Sequence, residues 1–360
     1  MTIKKDQHYV PRFYLRYFSD TKGKRTVGIF NINKEIFIPN GSIKNQACST
    51  YFYGKDRKIE ENLSIIEENC ASIISKIFKT NNLPNPGSEE HLLLLIFVIS
   101  LSSRTEYAAD SVDESFDKMY KIIFKNDPRF KDVLGDIRIG IQNAGAYSLG
   151  IALQAVPVAF DLEFKLLFNK TNTPFITSDN PVIKYNQFLE YKKAYGGITG
   201  FGVKGIQLML PLNPYFYIIF YDQGVYKIGN RKQRFVEINN IRDINSLNLL
   251  QFINASENLY FNNNVNKIYL DSLSKQGKKF RREKKVNVNE YISNKKFDDK
   301  RSSLIVSHIE DIKINLSLSF ISLLKKAKKY VLGNKVVHVR NERVSKIYDL
   351  IEKKNETLYK

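Results

Sequence analysis

The 360-residue chain has no tryptophan, two cysteines and four histidines. Cys48 and Cys70 are too few for a disulfide framework or a four-cysteine zinc site. His8, His91, His308 and His338 are too scattered to read as a zinc set, and His-Glu-x-x-His does not occur. There is no Gly-x-x-x-x-Gly-Lys-Ser/Thr and so no P-loop, and no Gly-x-Ser-x-Gly nucleophile elbow. The opening residues MTIKKDQHYV lack the apolar stretch of a secretory signal. The longest apolar run, residues 92–99, falls far short of the roughly 20 residues that cross a bilayer. These absences lead us to expect a soluble, cytoplasmic protein with no transmembrane segment. They leave its oligomeric state open.

Basic side chains are abundant. Lys and Arg number 56 against 37 Asp and Glu, a formal charge of +19. A balance this basic suits an anionic partner, most commonly nucleic acid. The same excess, with the wealth of Asn, Ile, Tyr and Phe, is also what an A/T-rich genome would write. Composition leaves both readings open. Hydrophobic residues make up 43%, enough for a packed core.

The local patterns predict an α+β fold: an N-terminal β-hairpin, a central helical block, an antiparallel β block and C-terminal helices. Pro11 suits the first position of a short helix. TVGIFNINKEIFI (26–38) alternates about a break at Asn33-Lys34 and reads as the hairpin. Residues 47–54 read as extended. Leu63, Ile66, Cys70, Ile73, Ile74 and Ile77 recur at helical spacing over 59–78. Ser88 followed by Glu89 and Glu90 starts a helix that is apolar almost all round to Leu101, the mark of a buried one. A polar, acidic stretch follows to about Lys125, then a glycine-rich helical segment over 131–157. Strand-like runs fill 161–228 and a helix is expected over 238–257. We expect a core unit over 1–270, with the helical block at about 59–157 and the β block at about 161–230. Beyond it we expect a basic linker or arm over 271–315 and a C-terminal helical segment over 316–360. Residues 275–301 are rich in Lys and Arg and show little periodicity. Residues 316–332 read as an amphipathic helix, docked on the core rather than on a membrane, with its lysines in solvent.

Three constellations could carry chemistry. GGITGFG (196–202) has the composition of a phosphate loop without its spacing, and reads as a flexible loop. Glu163-x-Lys165 on a strand is a pair that metal-dependent nucleases use, but such pairs arise readily in a chain this rich in lysine. TPFITSDNPV (173–182) ends an apolar strand in Ser178-Asp179-Asn180-Pro181. That is either an Asx-type turn or a catalytic carboxylate displayed at a strand end.

His8-Tyr9-Val10-Pro11 with Phe13-Tyr14-Leu15-Arg16 and Phe18, Phe52-Tyr53, Glu60, Glu68, Arg104, Pro174 to Val182, and Pro211-Leu212-Asn213-Pro214 together resemble a bacterial family, the one catalogued as domain of unknown function 4238. The resemblance spans about residues 5–270. It implies one folding unit up to about residue 270, and it implies that His8, Glu60, Arg104 and Asp179 are the residues to test. It brings no settled activity and no fixed acid–base pair at Glu163 and Lys165. In a catalytic reading, His8 transfers a proton near neutrality, Arg104 clamps an anion, and Glu60 and Asp179 orient His8 or hold a metal. In a structural reading, Arg104 pairs with Glu60, Glu68 or Asp179. Arg12, Ser178, Asn180, Lys325 and Lys329 are the expected substrate contacts.

The leading expectation is a nuclease, of a defence or toxin-like system, with its cofactor left open and Mg²⁺ one candidate. The alternative is a module that binds RNA or DNA through residues 275–301 and the lysine face of 316–332 without chemistry. A third reading assigns the basicity to genome composition alone.

Overall fold

A computed structural model of the chain describes residues 6–21, 23–56, 58–282, 286–297, 300–333 and 338–358. A short strand, β1 (Asp6–His8), leads into a one-turn helix, α1 (Arg12–Leu15). The hairpin follows as β2 (Thr26–Asn31) and β3 (Ile36–Ser42), then β4 (Cys48–Thr50). The helical block holds α2 (Lys58–Thr80), α3 (Glu89–Ser103), α4 (Glu106–Phe124), α5 (Ala144–Gln154) and α6 (Val156–Ala159). The β block runs β5 (Glu163–Asn169), β6 (Thr177–Ser178), β7 (Ile183–Tyr185), α7 (Gln187–Tyr191), β8 (Gln207–Pro211), β9 (Phe216–Tyr221), β10 (Tyr226–Ile228) and β11 (Phe235–Ile238). After it come α8 (Ile241–Asn254), β12 (Asn258–Phe261), α9 (Lys267–Gly277), β13 (Val286–Phe297), β14 (Lys300–Ile309), β15 (Ile321–Leu323), α10 (Lys325–Lys328) and α11 (Glu342–Leu358). The fold is α+β.

The central sheet has the order β11-β5-β9-β8-β7. Its inner strands β8 and β9 are almost wholly apolar because both faces are covered. Phe164 and Leu166 of β5, Leu208 and Leu210 of β8, and Ile218 and Phe220 of β9 pack with Leu94, Phe97 and Val98 of α3. Their alternate neighbours Leu167, Met209, Tyr217 and Ile219 pack with Ile244, Leu247 and Leu250 of α8 on the other face. Each such side chain stabilises the fold by about 1.5–3 kcal/mol on full burial. The sheet is antiparallel except for β11, which lies parallel to β5. A second sheet, β3-β2-β12-β6, joins the hairpin to the TSDNP segment. Helix α3 starts at Ser88, whose hydroxyl accepts from the His91 N–H. It is buried between the sheet and the helices around it. No single described helix is long and apolar enough to cross a membrane.

Four segments differ from expectation. Residues 316–332 are not an amphipathic helix. Ile321–Leu323 pair with β10 and only Lys325–Lys328 are helical. The free edge of β10 offers backbone hydrogen bonds there, and Leu316 and Leu318 bury into the α8 side of the core. Residues 275–301 are not an irregular arm throughout, because β13 pairs antiparallel with β14. That hairpin lies on α4, where Ser115 and Ser307 share a hydroxyl hydrogen bond (2.8 Å) and Lys118 Nζ donates to the Val286 carbonyl (2.8 Å). The acidic stretch 106–124 is itself helical, while the expected helix over 131–157 forms only from Ala144. Asp113 and Asp117 of α4 instead accept from the backbone N–H of Ile141 and Ile139, tying that loop down in extended form.

Candidate functional site

The segments that carry the family resemblance meet in space. Gln7 binds the 53–54 turn, accepting from the Tyr53 N–H (2.7 Å) and donating to the Gly54 carbonyl (3.2 Å). His8 ends β1 opposite Cys48, half-buried, with Nδ1 3.0 Å from the Gln46 carbonyl oxygen. Tyr14, fully buried, donates its hydroxyl hydrogen to the Pro211 carbonyl (2.7 Å) and lies 2.6 Å from Thr177 Oγ1. One phenol thus joins the N-terminal helix, the TSDNP segment and the PLNP turn.

Asp179 is 3% exposed and faces inward. Its Oδ1 accepts from the Ser256 N–H, and its Oδ2 from those of Glu257 and Asn258, all at 2.8 Å. Burial pushes this carboxyl up from the usual range, and the three N–H groups oppose the shift. The neighbouring side chains are engaged in the same way. Ser178 donates to Gln251 Oε1 (2.9 Å), and Asn180 donates to the Asn254 carbonyl (3.0 Å). Asn254 and Gln251 return bonds to the carbonyls of Asn180 and Pro181. TSDNP is therefore a buried clasp on the C-terminal end of α8, closer to the Asx-turn reading than to a displayed carboxylate.

Arg104 caps α3, is fully buried, and donates from Nη1 to Glu67 Oε1 (2.8 Å). The expected partners were Glu60, Glu68 or Asp179. Glu67 takes the place because it lies in line with the buried Leu63 and Cys70 on α2, whereas Glu68 is turned to solvent. Among the described residues, Arg104 Nε and Nη2 have no hydrogen-bond partner at ordinary geometry, although the Tyr53 phenol lies beside the guanidinium. Burial pushes the nearby Tyr53 phenol up to about 12 against the pull of Arg104, and Glu60 adds its charge to that neighbourhood. Arg12 is half-buried on α1, and its Nε has no hydrogen-bond partner among the described residues. Lys325 and Lys329 are exposed at the two ends of α10.

Asp179 and Arg104 flank a residue that sequence reading missed. Thr105 caps α4 and donates to Asn180 Oδ1 (3.4 Å), and Glu106 begins that helix. The Tyr9 hydroxyl donates to Glu106 Oε2 (3.3 Å). Burial raises the Glu106 carboxyl above its ordinary range, Tyr9 opposes this, and the charges of Asp179, Asp110 and Glu257 add to it. Tyr9 is pushed up in turn by its own burial and by Asp179 and Glu106. Glu106 faces a cleft of about 270 Å³ that also exposes Asp110, Tyr107, Glu257, Arg281 and Arg282. Arg281 donates to the carbonyls of Phe252, Ala255 and Ser256, and so holds from outside the turn that Asp179 holds from inside. Arg282 lies over the Tyr107 ring (4.7 Å) and donates to Asn254 Oδ1 (3.0 Å). The signal in the sequence was Thr105-Glu106 directly after Arg104, a helix cap with an acid in the first turn. Helix-dipole chemistry explains such an acid without a site, so it did not stand out.

Among the described residues, no three His, Cys, Asp or Glu side chains converge to hold a metal ion. Glu163 and Lys165 lie elsewhere, on the wall of a different cleft that shares no lining residue with this one. Lys165 Nζ donates to the carbonyls of Ile228 (2.7 Å) and Asn230 (2.5 Å) and is 3% exposed, so it braces the turn after β10.

Compared with known proteins, residues 6–264 match the family model described as Protein of unknown function (DUF4238). No curated protein and no solved structure matches the chain.

Proposed function

The chain belongs to the family described as Protein of unknown function (DUF4238), and from that premise, which brings no activity with it, we propose a hydrolase acting on nucleic acid, with Glu106 as its proton-transfer residue. The observation that carries this reading is the half-buried Glu106 carboxyl, raised in pKa and bonded to Tyr9, on the wall of a cleft that also presents Arg282. A carboxyl that burial makes a weaker acid than a free one holds its proton more firmly, and such a group can give a proton to a leaving oxygen and recover one from water. In phosphodiester hydrolysis, water attacks phosphorus, the P–O ester bond breaks, Glu106 protonates the departing oxygen, and the attacking water's proton restores the carboxyl. The Arg282 guanidinium suits the charge that grows on the phosphoryl oxygens. Asp179 and Arg104 act here as positioning residues, and β1 with His8 at its end carries Tyr9 to Glu106. The net charge of +19 supports nucleic acid as the substrate class.

The test is incubation of wild type and Glu106→Gln with total RNA, tRNA and plasmid DNA, with and without Mg²⁺. Cleavage by wild type that Glu106→Gln loses, at an unchanged melting temperature, is the expected result. Cleavage that survives in Glu106→Gln refutes the assignment of Glu106. Substrate retained intact by both proteins refutes hydrolysis and leaves a binding module.

A further inference from the structure

A larger cleft, of about 880 Å³, opens between β5 of the central sheet and the β10–β15 pair. Six cationic side chains line it: Lys165, Lys227, Arg231, Arg234, Lys325 and Lys326. They face one carboxylate there, that of Glu163. None of the six is in an ion pair among the described residues.

The local structure explains how such a concentration of charge is held. Alternation along β5 sets Glu163 and Lys165 on one face, opposite Phe164 and Leu166, which enter the helical core. Lys165 braces the turn after β10. Arg234 is anchored by Nη1 to the carbonyls of Leu83 (3.3 Å) and Pro84 (2.6 Å) and lies over Phe164 at 4.6 Å. Its Nε and Nη2 are sequestered from solvent and have no hydrogen-bond partner among the described residues. Lys325 and Lys326 come from beyond the family match at residues 6–264. The pairing of β15 with β10 brings them in, with Leu324 N–H donating to the Val225 carbonyl (2.9 Å). The cleft is thus a composite of the family core and the C-terminal segment.

We propose that this cleft binds the sugar-phosphate backbone of nucleic acid. Four of the six, Lys227, Arg231, Lys325 and Lys326, are exposed, and four exposed cations along one open cleft suit several phosphates rather than one. The aromatic residues on its walls, Tyr221 and Tyr226, are buried and offer no ring face on which a base could stack. Recognition is therefore of phosphate, largely independent of sequence and steeply dependent on salt. The inference rests on the nucleic-acid half of the reading above and not on hydrolysis at Glu106.

The experiment is fluorescence anisotropy of the full chain with a labelled single-stranded RNA across a series of NaCl concentrations, with RNA integrity checked on a gel. The variant is Lys227→Glu/Arg231→Glu/Lys326→Glu. The charge-matched control is Lys58→Glu/Lys79→Glu/Lys275→Glu, on exposed positions outside both clefts. Loss of three phosphate contacts is expected to weaken binding roughly tenfold or more and to flatten the slope of log K against log [NaCl] by about 2. The control is expected to stay near wild type. Equal weakening in both triple variants, unchanged binding in the cleft variant, or wild type that captures anionic vesicles but not RNA overturns the proposal. If the triple cleft variant does not fold, the single substitutions Lys227→Glu and Arg231→Glu at exposed positions are read by the same criterion. Tight RNA binding without cleavage sinks the hydrolase reading alone, and cleavage with no effect of cleft reversal on binding sinks this one alone.

Discussion

Replacing Asp179 with Asn keeps the shape of the side chain but removes its charge and turns one acceptor into a donor. Three backbone N–H groups, of Ser256, Glu257 and Asn258, converge on the carboxylate at 2.8 Å. If the Asn oxygen takes the Oδ2 position, it keeps two of them, now as neutral bonds of roughly half the strength, a loss of about 1 kcal/mol each. The amide group then points its own N–H at the Ser256 N–H, which is left buried and unpaired at a further cost of about 2 kcal/mol. Burying a neutral amide in place of the carboxylate relieves part of the desolvation that raises the Asp179 pKa, so the expected destabilisation is about 2–4 kcal/mol. With an unfolding entropy of about 2.1 cal/mol/K per residue over the chain, this lowers the melting temperature by about 3–5 °C. The assay is thermal melting, with hydrogen exchange read at residues 256–258, where protection is expected to fall first. Asp179→Asn that melts with wild type while losing all activity would refute the reasoning, because Asp179 would then be serving a substrate and not the turn.

His91 provides a pH prediction. Its ring lies stacked on Phe164 at 4.3 Å, its Nδ1 accepts from the Gly87 N–H, and burial lowers its pKa from 6.5 to about 4. The unfolded chain therefore takes up the proton first as pH falls. The stability from neutral His91 is intact above pH 6.5 and is lost on descent toward pH 4, by up to ~3 kcal/mol. His91→Phe lacks this loss, so its stability gap to wild type should change by about that much between pH 7 and 4. A gap that stays constant in denaturant titrations over that range contradicts the assignment. Tyr14→Phe should cost about 1–3 kcal/mol, since it leaves the Pro211 carbonyl and Thr177 hydroxyl short of a partner in a dry site. A melt within error of wild type would show that the junction of the three motif segments does not depend on that hydroxyl.

Sequence alone determined the elements whose cause is local. The hairpin about Asn33-Lys34, the apolar face of α2, the Ser88 cap of α3 and the doubly buried strands of the central sheet follow from periodicity, turn chemistry and capping, which act over a few residues. The resemblance of the N-terminal and TSDNP motifs was legible too, and those segments do meet, at Tyr14 and Thr177. Only the tertiary structure decided what each candidate residue faces. An Asp at a strand end reads the same whether substrate or three backbone N–H groups lie beyond it. Arg104 needs an acid, but whether that is Glu60, Glu67 or Glu68 depends on how α2 is rotated against α3. Residues 316–332 carry a helical pattern, yet the open edge of β10 sets Ile321–Leu323 in a sheet, and periodicity holds no information about a partner strand some hundred residues away. The same pairing carries Lys325 and Lys326 to Arg231 and Arg234. The gathering of dispersed lysines and arginines into one cleft is therefore a property of the fold, because charges far apart in the chain become neighbours only once the strands between them have paired.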